Sequence, residues 1–194
     1  EEGTKVVIKN LFENCGSLET VILPETITEI HQSAFSGCSS LKNIELPSQM
    51  TYIAQKAFYC CTVLEQIELP STLAYVFPDC FYGCSALKEI TIPAGITGIG
   101  ARAFQKCTAL EKVTFEKNGV ISAIEDYAFA DCSALKSFTL PNTVEKLGMG
   151  ALATCASLTE VSLGTGLKAI PSYFLDNSAA LEEVLIPYQV TAIA

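Results

Sequence analysis

The sequence predicts a single repeat solenoid, in which a 23-residue unit is stacked along one axis with its short strands in parallel. An apolar residue, mostly phenylalanine, recurs every 23 positions through most of the chain. A cysteine or serine follows it by three positions, and a leucine follows by three more. Agreement at three offsets over eight copies indicates stacked units, because each buries its apolar side chains only against its neighbours. The three columns are Phe12, Phe35, Phe58, Phe81, Phe104, Phe129, Leu152 and Leu175; Cys15, Cys38, Cys61, Cys84, Cys107, Cys132, Cys155 and Ser178; and Leu18, Leu41, Leu64, Leu87, Leu110, Leu135, Leu158 and Leu181.

The repeat predicts one domain, residues 1–194, with no linker rich in proline, glycine or serine. Residues 1–7 are interpreted as the remnant of an earlier copy, since Thr4 and Val7 match positions of the first full copy. Neither end has a polar capping copy, so we expect the ends to stack on further repeats or on one another. The eight full copies are 8–30, 31–53, 54–76, 77–99, 100–124, 125–147, 148–170 and 171–193.

Each copy is predicted to contain a turn, a strand and a second extended segment, in that order. The Ala-Phe-x-x-Cys-x-x-Leu part has a spacing of three, which predicts a single helical or 3₁₀ turn. The Leu-x-x-Ile-x-Leu part alternates with the period of a strand, and the proline that follows ends it. Equivalent strands are expected to stack about 4.8 Å apart. In the second copy the predicted inward side chains are Ala34, Phe35, Cys38, Leu41, Ile44, Leu46, Met50 and Ile53.

One copy departs from the regular length. The step from Phe104 to Phe129 is 25 residues, and the proline that usually ends the strand is missing there. Asn118-Gly119 is a tight-turn signal, so the sequence predicts a small protruding loop that the surface tolerates. Gly98 and Gly100 are interpreted as turn glycines of the repeat rather than as a phosphate-binding loop.

The pattern Leu-x-x-Ile-x-Leu-Pro-x-x-Leu-x-x-Ile-x-x-x-Ala-Phe-x-x-Cys resembles the BspA-like, or Treponema-type, leucine-rich repeat over residues 4–193. The asparagine that follows the strand in common leucine-rich repeats is absent. The resemblance implies a leucine-rich-repeat solenoid of eight coils, a right-handed superhelix with a parallel β-sheet on its concave side. It also implies a bacterial surface or secreted protein that binds host matrix proteins or other cells. The family has no shared catalytic residues, so the resemblance implies no site residue.

Nine cysteines suggest disulfides or a metal site, but their spacing argues against both. Seven share one column, where neighbouring side chains would lie about 4.8 Å apart, farther than a disulfide allows. We therefore predict buried thiols, with Cys80 also in the core and Cys60, at a turn position, as the only thiol that labels readily. No Cys-x-x-Cys motif occurs and His31 is the only histidine, so neither zinc nor any other cofactor is predicted.

The remaining chemistry predicts no enzyme. A nucleophile needs a base and an orienting group, which a single histidine does not supply. The adjacent carboxylates Glu45/Glu68 and Glu160/Glu183 are interpreted as a solvated sheet face. A net charge of −9 argues against nucleic acid and anionic membranes. No apolar run reaches the roughly 18 residues that would favour a membrane span.

Outward columns of the strand offer candidate binding surfaces. One alternates in charge from Glu19 to Lys136, which predicts register-setting ion pairs. Another carries hydroxyls at Thr91, Thr114, Thr139 and Ser162, which could accept a sugar or peptide, although threonine also favours strands. Aromatic residues are enriched at interfaces, so the aromatic side chains of copies two to four are the predicted partner-binding residues. They are Tyr52, Tyr59, Tyr75, Phe77 and Tyr82.

Together with the family resemblance, these observations predict a non-enzymatic module of a bacterial surface or secreted protein that binds a protein or glycan ligand; adhesion to host matrix or other cells is what the resemblance implies. The alternative is a passive spacer within a larger surface protein. Saturable binding to matrix-protein or glycan arrays would distinguish the two.

Overall fold

The computed structural model describes residues 3–194, so residues 1 and 2 of the predicted remnant lie outside the described residues. Sixteen short strands and the turns between them form this part of the chain, and it contains no helix. The strands stack as two ladders on different sides of each coil. The first ladder contains β2 (Thr20–Val21), β4 (Asn43–Ile44), β7 (Glu89–Ile92), β9 (Lys112–Phe115), β11 (Ser137–Thr139), β13 (Glu160–Ser162) and β15 (Glu183–Leu185). The second contains β1 (Val6–Val7), β3 (Glu29–Ile30), β5 (Tyr52–Ile53), β6 (Tyr75–Val76), β8 (Gly98–Ile99), β10 (Ala123–Ile124), β12 (Lys146–Leu147), β14 (Ala169–Ile170) and β16 (Ala192–Ile193).

Paired strands are parallel and lie one repeat apart in sequence. Glu89 of β7 pairs with Lys112 of β9, a step of 23 residues. Across the longer copy, Gly98 pairs with Ala123, a step of 25. The two extra residues are therefore absorbed before β10, and the register is restored after them. This arrangement confirms the predicted parallel-strand solenoid of about eight coils.

The phenylalanine column runs through the core as one continuous stack. Phe35 and Phe58 have ring centroids 5.4 Å apart and planes 4° apart, and Phe58 stacks on Phe81 in the same way. The stack begins at Phe12 and continues to Phe129. Such a column requires each coil to lie directly on the next, so the coils share one core. Of the inward side chains predicted for the second copy, Leu46 alone is half-buried rather than buried.

The segment around each phenylalanine is a chain of turns, and the predicted helical or 3₁₀ turn is wrong. Phe35 donates its N–H to the carbonyl of Ala57 in the next coil (2.9 Å), whereas Cys38 donates back to Phe35 (3.2 Å). Since alternate N–H groups bond to another coil, they cannot continue a helical pattern. In this segment two residues of each copy are left-handed, which turns the chain at each of them. They are Asn10, Asn14, Ser33, Gly37, Lys56, Cys60, Asp79, Gly83, Arg102, Lys106, Tyr127, Asp131, Gly150, Thr154, Tyr173 and Asn177.

The column of thiols is hydrogen-bonded from coil to coil. The Cys61 thiol donates to the carbonyl of Phe35 in the preceding coil (3.2 Å), and Cys107 donates likewise to Phe81 (3.3 Å). Ser178 makes the same bond to Leu152 at 3.2 Å, which explains why serine replaces cysteine there. Burial raises the pKa of these thiols, because the interior disfavours the thiolate.

All nine cysteines are free, but the prediction for the accessible one needs a correction. Cys15 is exposed, whereas Cys60 is only half-buried and burial raises its pKa. Cys15 belongs to the first full copy, where the preceding described residues supply only β1 and no turn segment to cover it. Cys80 is buried in the core, as predicted.

Candidate functional site

Both ladders are interrupted, and two of the interruptions coincide with unusual side chains. In the second ladder, β5 and β6 belong to different sheets. In the first ladder, β9 and β11 also belong to different sheets. We call the first place the aromatic seam, formed by His31, Tyr52, Tyr75 and Phe77. The second is the loop cleft, described below.

Aromatic rings fill the seam between β5 and β6. Phe77 packs edge-on against Tyr52 (centroids 5.0 Å apart) and against Tyr75 (5.1 Å). The His31 ring lies 6.2 Å from Tyr52, also edge to face. Edge-to-face rings at such separations stabilise one another beyond their buried area. Contacts between aromatic side chains therefore connect β5 and β6, which are not paired through their backbones.

Tyr75 also bridges two coils. Its hydroxyl donates to Glu125 Oε1 at 2.6 Å, and burial together with this carboxylate raises the pKa of Tyr75. The ring crosses Gly98, where an added Cβ would lie 2.8 Å from Tyr75 Cε2. A Cβ on Gly100 would lie 2.6 Å from the backbone nitrogen of Pro78. Gly98 lies within β8, so its prediction as a turn glycine is wrong, whereas Gly100 begins a turn, since its carbonyl accepts the N–H of Ala103 (3.2 Å). They are required because side chains and backbone approach too closely for a Cβ.

Tyr59 and Tyr82 form a separate cluster. Their rings stack with centroids 4.8 Å and planes 4° apart. The ammonium of Lys106 lies 5.4 Å from the Tyr82 ring, and that of Lys56 lies 5.7 Å from the Tyr59 ring. Each tyrosine therefore stacks on the other and has a lysine over it, which leaves little aromatic face for a sugar to stack on.

The structure thus divides the five predicted binding residues into two groups. Tyr52 is 37% exposed, and the other four are half-buried. Tyr52 and Phe77 line an open groove of about 420 Å³. The same groove is lined by Lys9, His31, Gln32, Ala54 and Gln55. Tyr59 and Tyr82 are not among the residues that line it.

The loop cleft lies between copies five and six and has a volume of about 610 Å³. Its sides come from β9, from the inserted loop and from the segment after β11. Apolar and polar groups are mixed along it, as in many ligand sites. The lining residues are Ile92, Pro93, Ile96, Val113, Thr114, Phe115, Glu116, Asn118, Gly119, Ile121, Thr139, Pro141, Asn142 and Thr143.

The inserted residues explain why the cleft is open. With Glu116 in place of the usual proline, the strand pairing of β9 reaches Phe115, and the Glu116 N–H bonds to Ile92 (3.0 Å). The Glu116 carboxylate then accepts the N–H of Ala94 (2.9 Å), and Asn118 is left-handed at φ 60°. The sequence signal for this site was the 25-residue step and the missing proline, which predicted only a small protruding loop that the surface tolerates.

The outward face of the first ladder carries the predicted charge pairs. Lys88 bonds to Glu65 at 2.7 Å, and Lys136 bonds to Glu111 at 2.6 Å. The lysine lowers the pKa of the carboxyl group in each pair. A trough of about 470 Å³ crosses this face beside the loop cleft, and the two share Pro93, Thr114 and Glu116. We call it the acidic trough; it is lined by Gln66, Ile67, Glu68, Leu69, Glu89, Thr91, Pro93, Lys112, Thr114 and Glu116.

The carboxylate pair Glu160/Glu183 and the single histidine lie in different copies of the repeat. Glu160 and Glu183 are paired positions of β13 and β15, and both are exposed. His31 is the only histidine, and its Nε2 lies 2.9 Å from Glu29 Oε2. Among residues 3–194 no cluster of three His, Cys, Asp or Glu residues could hold a metal ion. The same part of the chain contains no apolar helix of membrane-spanning length.

The family model of the BspA-type leucine-rich repeat region matches residues 5–121 and 119–194. No curated protein matches the chain significantly. Among solved structures, the leucine-rich repeat protein of Treponema pallidum is 32% identical, with a TM-score of 0.73. That match covers 77% of this chain and 72% of the Treponema chain.

Two further bacterial structures match over most of the chain. A leucine-rich repeat protein of Bacteroides ovatus is 25% identical over 93% of this chain, with a TM-score of 0.56. A leucine-rich cell surface protein of Faecalibacterium prausnitzii is 25% identical over 96% of it, with a TM-score of 0.52. The matches span 58% and 65% of those two chains, so both relatives extend beyond the matched part.

Proposed function

Because the chain belongs to the BspA-type leucine-rich repeat family, we propose that it is a binding module of a bacterial surface or secreted protein. It acts in adhesion, by holding a host matrix protein, a glycan or another cell surface. The family is one of bacterial surface proteins and is generally non-enzymatic. The similar protein of Faecalibacterium prausnitzii is described as a cell surface protein, which supports the same location here.

The observation that carries the proposal is the groove beside the aromatic seam. Tyr52 and Phe77 offer apolar edges there, next to the polar groups of His31, Gln32 and Gln55. A concave surface that mixes aromatic and polar groups is the kind that anchors a partner at an interface. The repeat itself explains only stability, so this departure from its pattern supports a binding role over a purely structural one.

Binding to arrays of purified matrix proteins and glycans tests the proposal. We expect saturable binding to at least one array member, weakened about tenfold or more by Tyr52→Ser, since such an anchor contributes about 1.4 kcal/mol or more. Tyr188→Ser is the matched control, because Tyr188 is 93% exposed and lies in the last copy, away from the groove. Its binding should change less than about twofold.

The rival proposal is a passive spacer, which would bind no array member. If binding is saturable but Tyr52→Ser leaves it unchanged, the adhesion function stands and the groove is not the binding site. Tyr75→Ser is avoided as a test, since Tyr75 bridges two coils and its loss would also affect stability.

A further inference from the structure

We infer that the loop cleft and the acidic trough together bind an extended peptide that carries an apolar side chain and, about two to four residues away, a lysine or arginine. This inference rests on the proposed binding function and names a second site for it. It concerns copies three to six, whereas the groove beside the aromatic seam is lined by copies one to four and shares no residue with the cleft or the trough.

The cleft suits an apolar side chain at its floor. Ile92, Ile96 and Ile121 are buried there, and Phe115 and Val113 are half-buried. The Phe115 ring packs edge-on against Phe138, with centroids 5.8 Å apart. A volume of about 610 Å³ exceeds what one side chain fills, so part of the peptide backbone also fits.

Polar groups on the rim match a peptide backbone. Asn142 Oδ1 accepts the N–H of Thr165 at 3.0 Å, which leaves its Nδ2 to donate to a ligand carbonyl. Thr143 and Asn118 add a hydroxyl and a second amide at the same rim. Hydrogen bonds to the peptide backbone contribute affinity for any sequence. The apolar cleft then provides specificity for the peptide's apolar side chain.

The trough supplies the charge. Its lining contains three carboxylates, those of Glu68, Glu89 and Glu116, and a single cation, Lys112. In the described part of the chain, neither Glu68 nor Glu89 has a cation within ion-pair distance. The whole chain has a net charge of −9. A cationic side chain would therefore be attracted to this flank and would gain charge-assisted hydrogen bonds there.

The register sets the spacing between the two subsites. Glu89 lies one coil before Lys112, and most of the cleft lining lies on the coil of Lys112 or on the next one. Adjacent strands lie about 4.8 Å apart, so Glu89 and Glu68, one and two coils before β9, lie about 7 and 12 Å from the middle of the cleft, whereas Glu116 lines the cleft itself. An extended peptide advances about 3.3 Å per residue, which gives the two to four residues stated above. The peptide would run along the solenoid axis, across the strands.

The lining argues against a sugar as the occupant. Carbohydrate would need an open aromatic face, whereas the one ring in the cleft, Phe115, is half-buried and packed against Phe138. The acidic flank also disfavours anionic polymers such as nucleic acid.

Fluorescence anisotropy with defined peptide pools tests the inference. The probe is a labelled heptapeptide pool with Leu or Phe at position 3 and Arg at position 6, compared with pools that have Glu at position 6 or Ser at position 3. We expect the apolar–Arg pool to bind at least tenfold more tightly than either comparison pool at low salt, and to weaken as salt is raised.

Three variants locate the binding. The double variant Glu89→Gln and Glu116→Gln should weaken the Arg pool about tenfold or more, while Gln at 116 can still accept the Ala94 N–H. Deletion of Asn118 and Gly119 should abolish binding, because it restores the regular spacing and closes the cleft. Glu160→Gln is the matched control: it removes an exposed carboxylate from the same column of the first ladder, outside the cleft. The affinity of Glu160→Gln for the apolar–Arg pool should change less than about twofold.

The outcomes separate this inference from the proposed function. If the chain binds a matrix protein but shows no preference for the apolar–Arg pool, the cleft assignment is overturned and adhesion stands. Equal loss of affinity in Glu160→Gln and the double variant would also overturn it, since the acidity would then act at long range. If the peptide pool binds as described and no array member does, the adhesion proposal fails and the cleft remains a peptide site. Thermal unfolding of each variant shows that the fold is retained.

Discussion

The aromatic seam and the loop cleft are both interruptions of a ladder, yet one is filled and the other is open. At the seam, Phe77 contacts rings on two neighbouring strands and Tyr75 reaches a carboxylate two coils away. At the cleft, the inserted loop holds Glu116 against Ala94, and the space beside Phe115 stays empty. The difference teaches that an edge can lose its strand pairing without losing order, provided side chains from adjoining coils cross the gap.

The core beneath both regions is the same. Phe58 stacks on Phe81 under the seam at 5.5 Å, and Phe104 stacks on Phe129 beneath the cleft at 5.2 Å. In a solenoid, stability is a sum over neighbouring coils, so an unbroken core carries the chain past a broken edge. Function can therefore vary at the edges while the column of phenylalanines and thiols remains constant.

The test with the largest expected effect raises the pH until the buried thiols of that shared core ionise. The pKa of Cys38 is raised to about 11 and that of Cys155 to about 12, because burial disfavours the thiolate. Unfolded thiols ionise near pH 8.5, so their contribution to stability is complete below that pH and is lost as pH rises through about 9 to 12. Six column thiols make the bond to the preceding coil, so the free energy of unfolding should fall by several kcal/mol per pH unit above about pH 9. Urea unfolding from pH 7 to 10.5 measures it.

A serine variant is the control for this titration. Cys107→Ser should keep the coil-to-coil hydrogen bond, as Ser178 does, but it has no thiol to ionise. Above about pH 9 the free energy of unfolding should fall in both chains. The slope should be smaller in the variant by about 1.4 kcal/mol per pH unit, the contribution of one thiol. A free energy that stays flat up to pH 10.5 would show that the buried thiols do not carry the effect.

The second test places the same small substitution in both regions. Gly100→Ala puts a Cβ 2.6 Å from the Pro78 nitrogen beside the filled seam, so backbone must shift at a cost of about 1–3 kcal/mol. Gly119→Ala in the open loop meets its nearest atom, Glu116 O, at 3.3 Å and should change stability by less than about 1 kcal/mol. Thermal unfolding of the two variants compares them. Equal losses would mean that the cleft is packed as tightly as the seam.

The repeat predicted nearly all of the fold, because spacing alone identifies which side chains must stack. The single offset of 23 was enough to align Phe35 with Phe58 and Cys38 with Cys61. It did not predict the left-handed turns, since Lys56 and Arg102 have side chains that usually disfavour that conformation. Bonds between coils impose the turns, and no local signal in the sequence shows those bonds.

The candidate sites were predicted less well, because they lie where neighbouring strands are not paired. The repeat spacing shows which residues align from copy to copy, but it does not show which strands remain unpaired. Composition identified the aromatic residues but could not show that Tyr75 lies across Gly98, or that Tyr59 and Tyr82 stack on each other. The 25-residue step marked the position of the loop cleft. Its volume could not be predicted, since it depends on how far β9 and β11 separate.

The third test weakens the bridge that runs from Tyr75, beside the seam, to Glu125. Tyr75→Phe keeps the ring over Gly98 but removes the hydroxyl that donates to Glu125. We expect a loss of about 0.5–1.5 kcal/mol, since the bond is charge-assisted but close to solvent. Tyr52→Phe serves as the comparison, because no hydrogen bond of the Tyr52 hydroxyl is found among residues 3–194. A loss as large in Tyr52→Phe would show that the bridge to Glu125 contributes nothing of its own.

The smallest expected effect on stability comes from deleting Asn118 and Gly119, which makes the fifth copy as long as its neighbours. Shortening a surface loop changes its closure entropy only slightly, so the free energy of unfolding should change by less than about 1 kcal/mol. The structural effect should be larger, because β9 and β11 could then pair like the other strands of the first ladder. Slower amide exchange in Ser137–Thr139 would show that pairing. A destabilisation above about 2 kcal/mol would instead mean that the loop covers the core, and the contrast between a filled seam and an open cleft would fail.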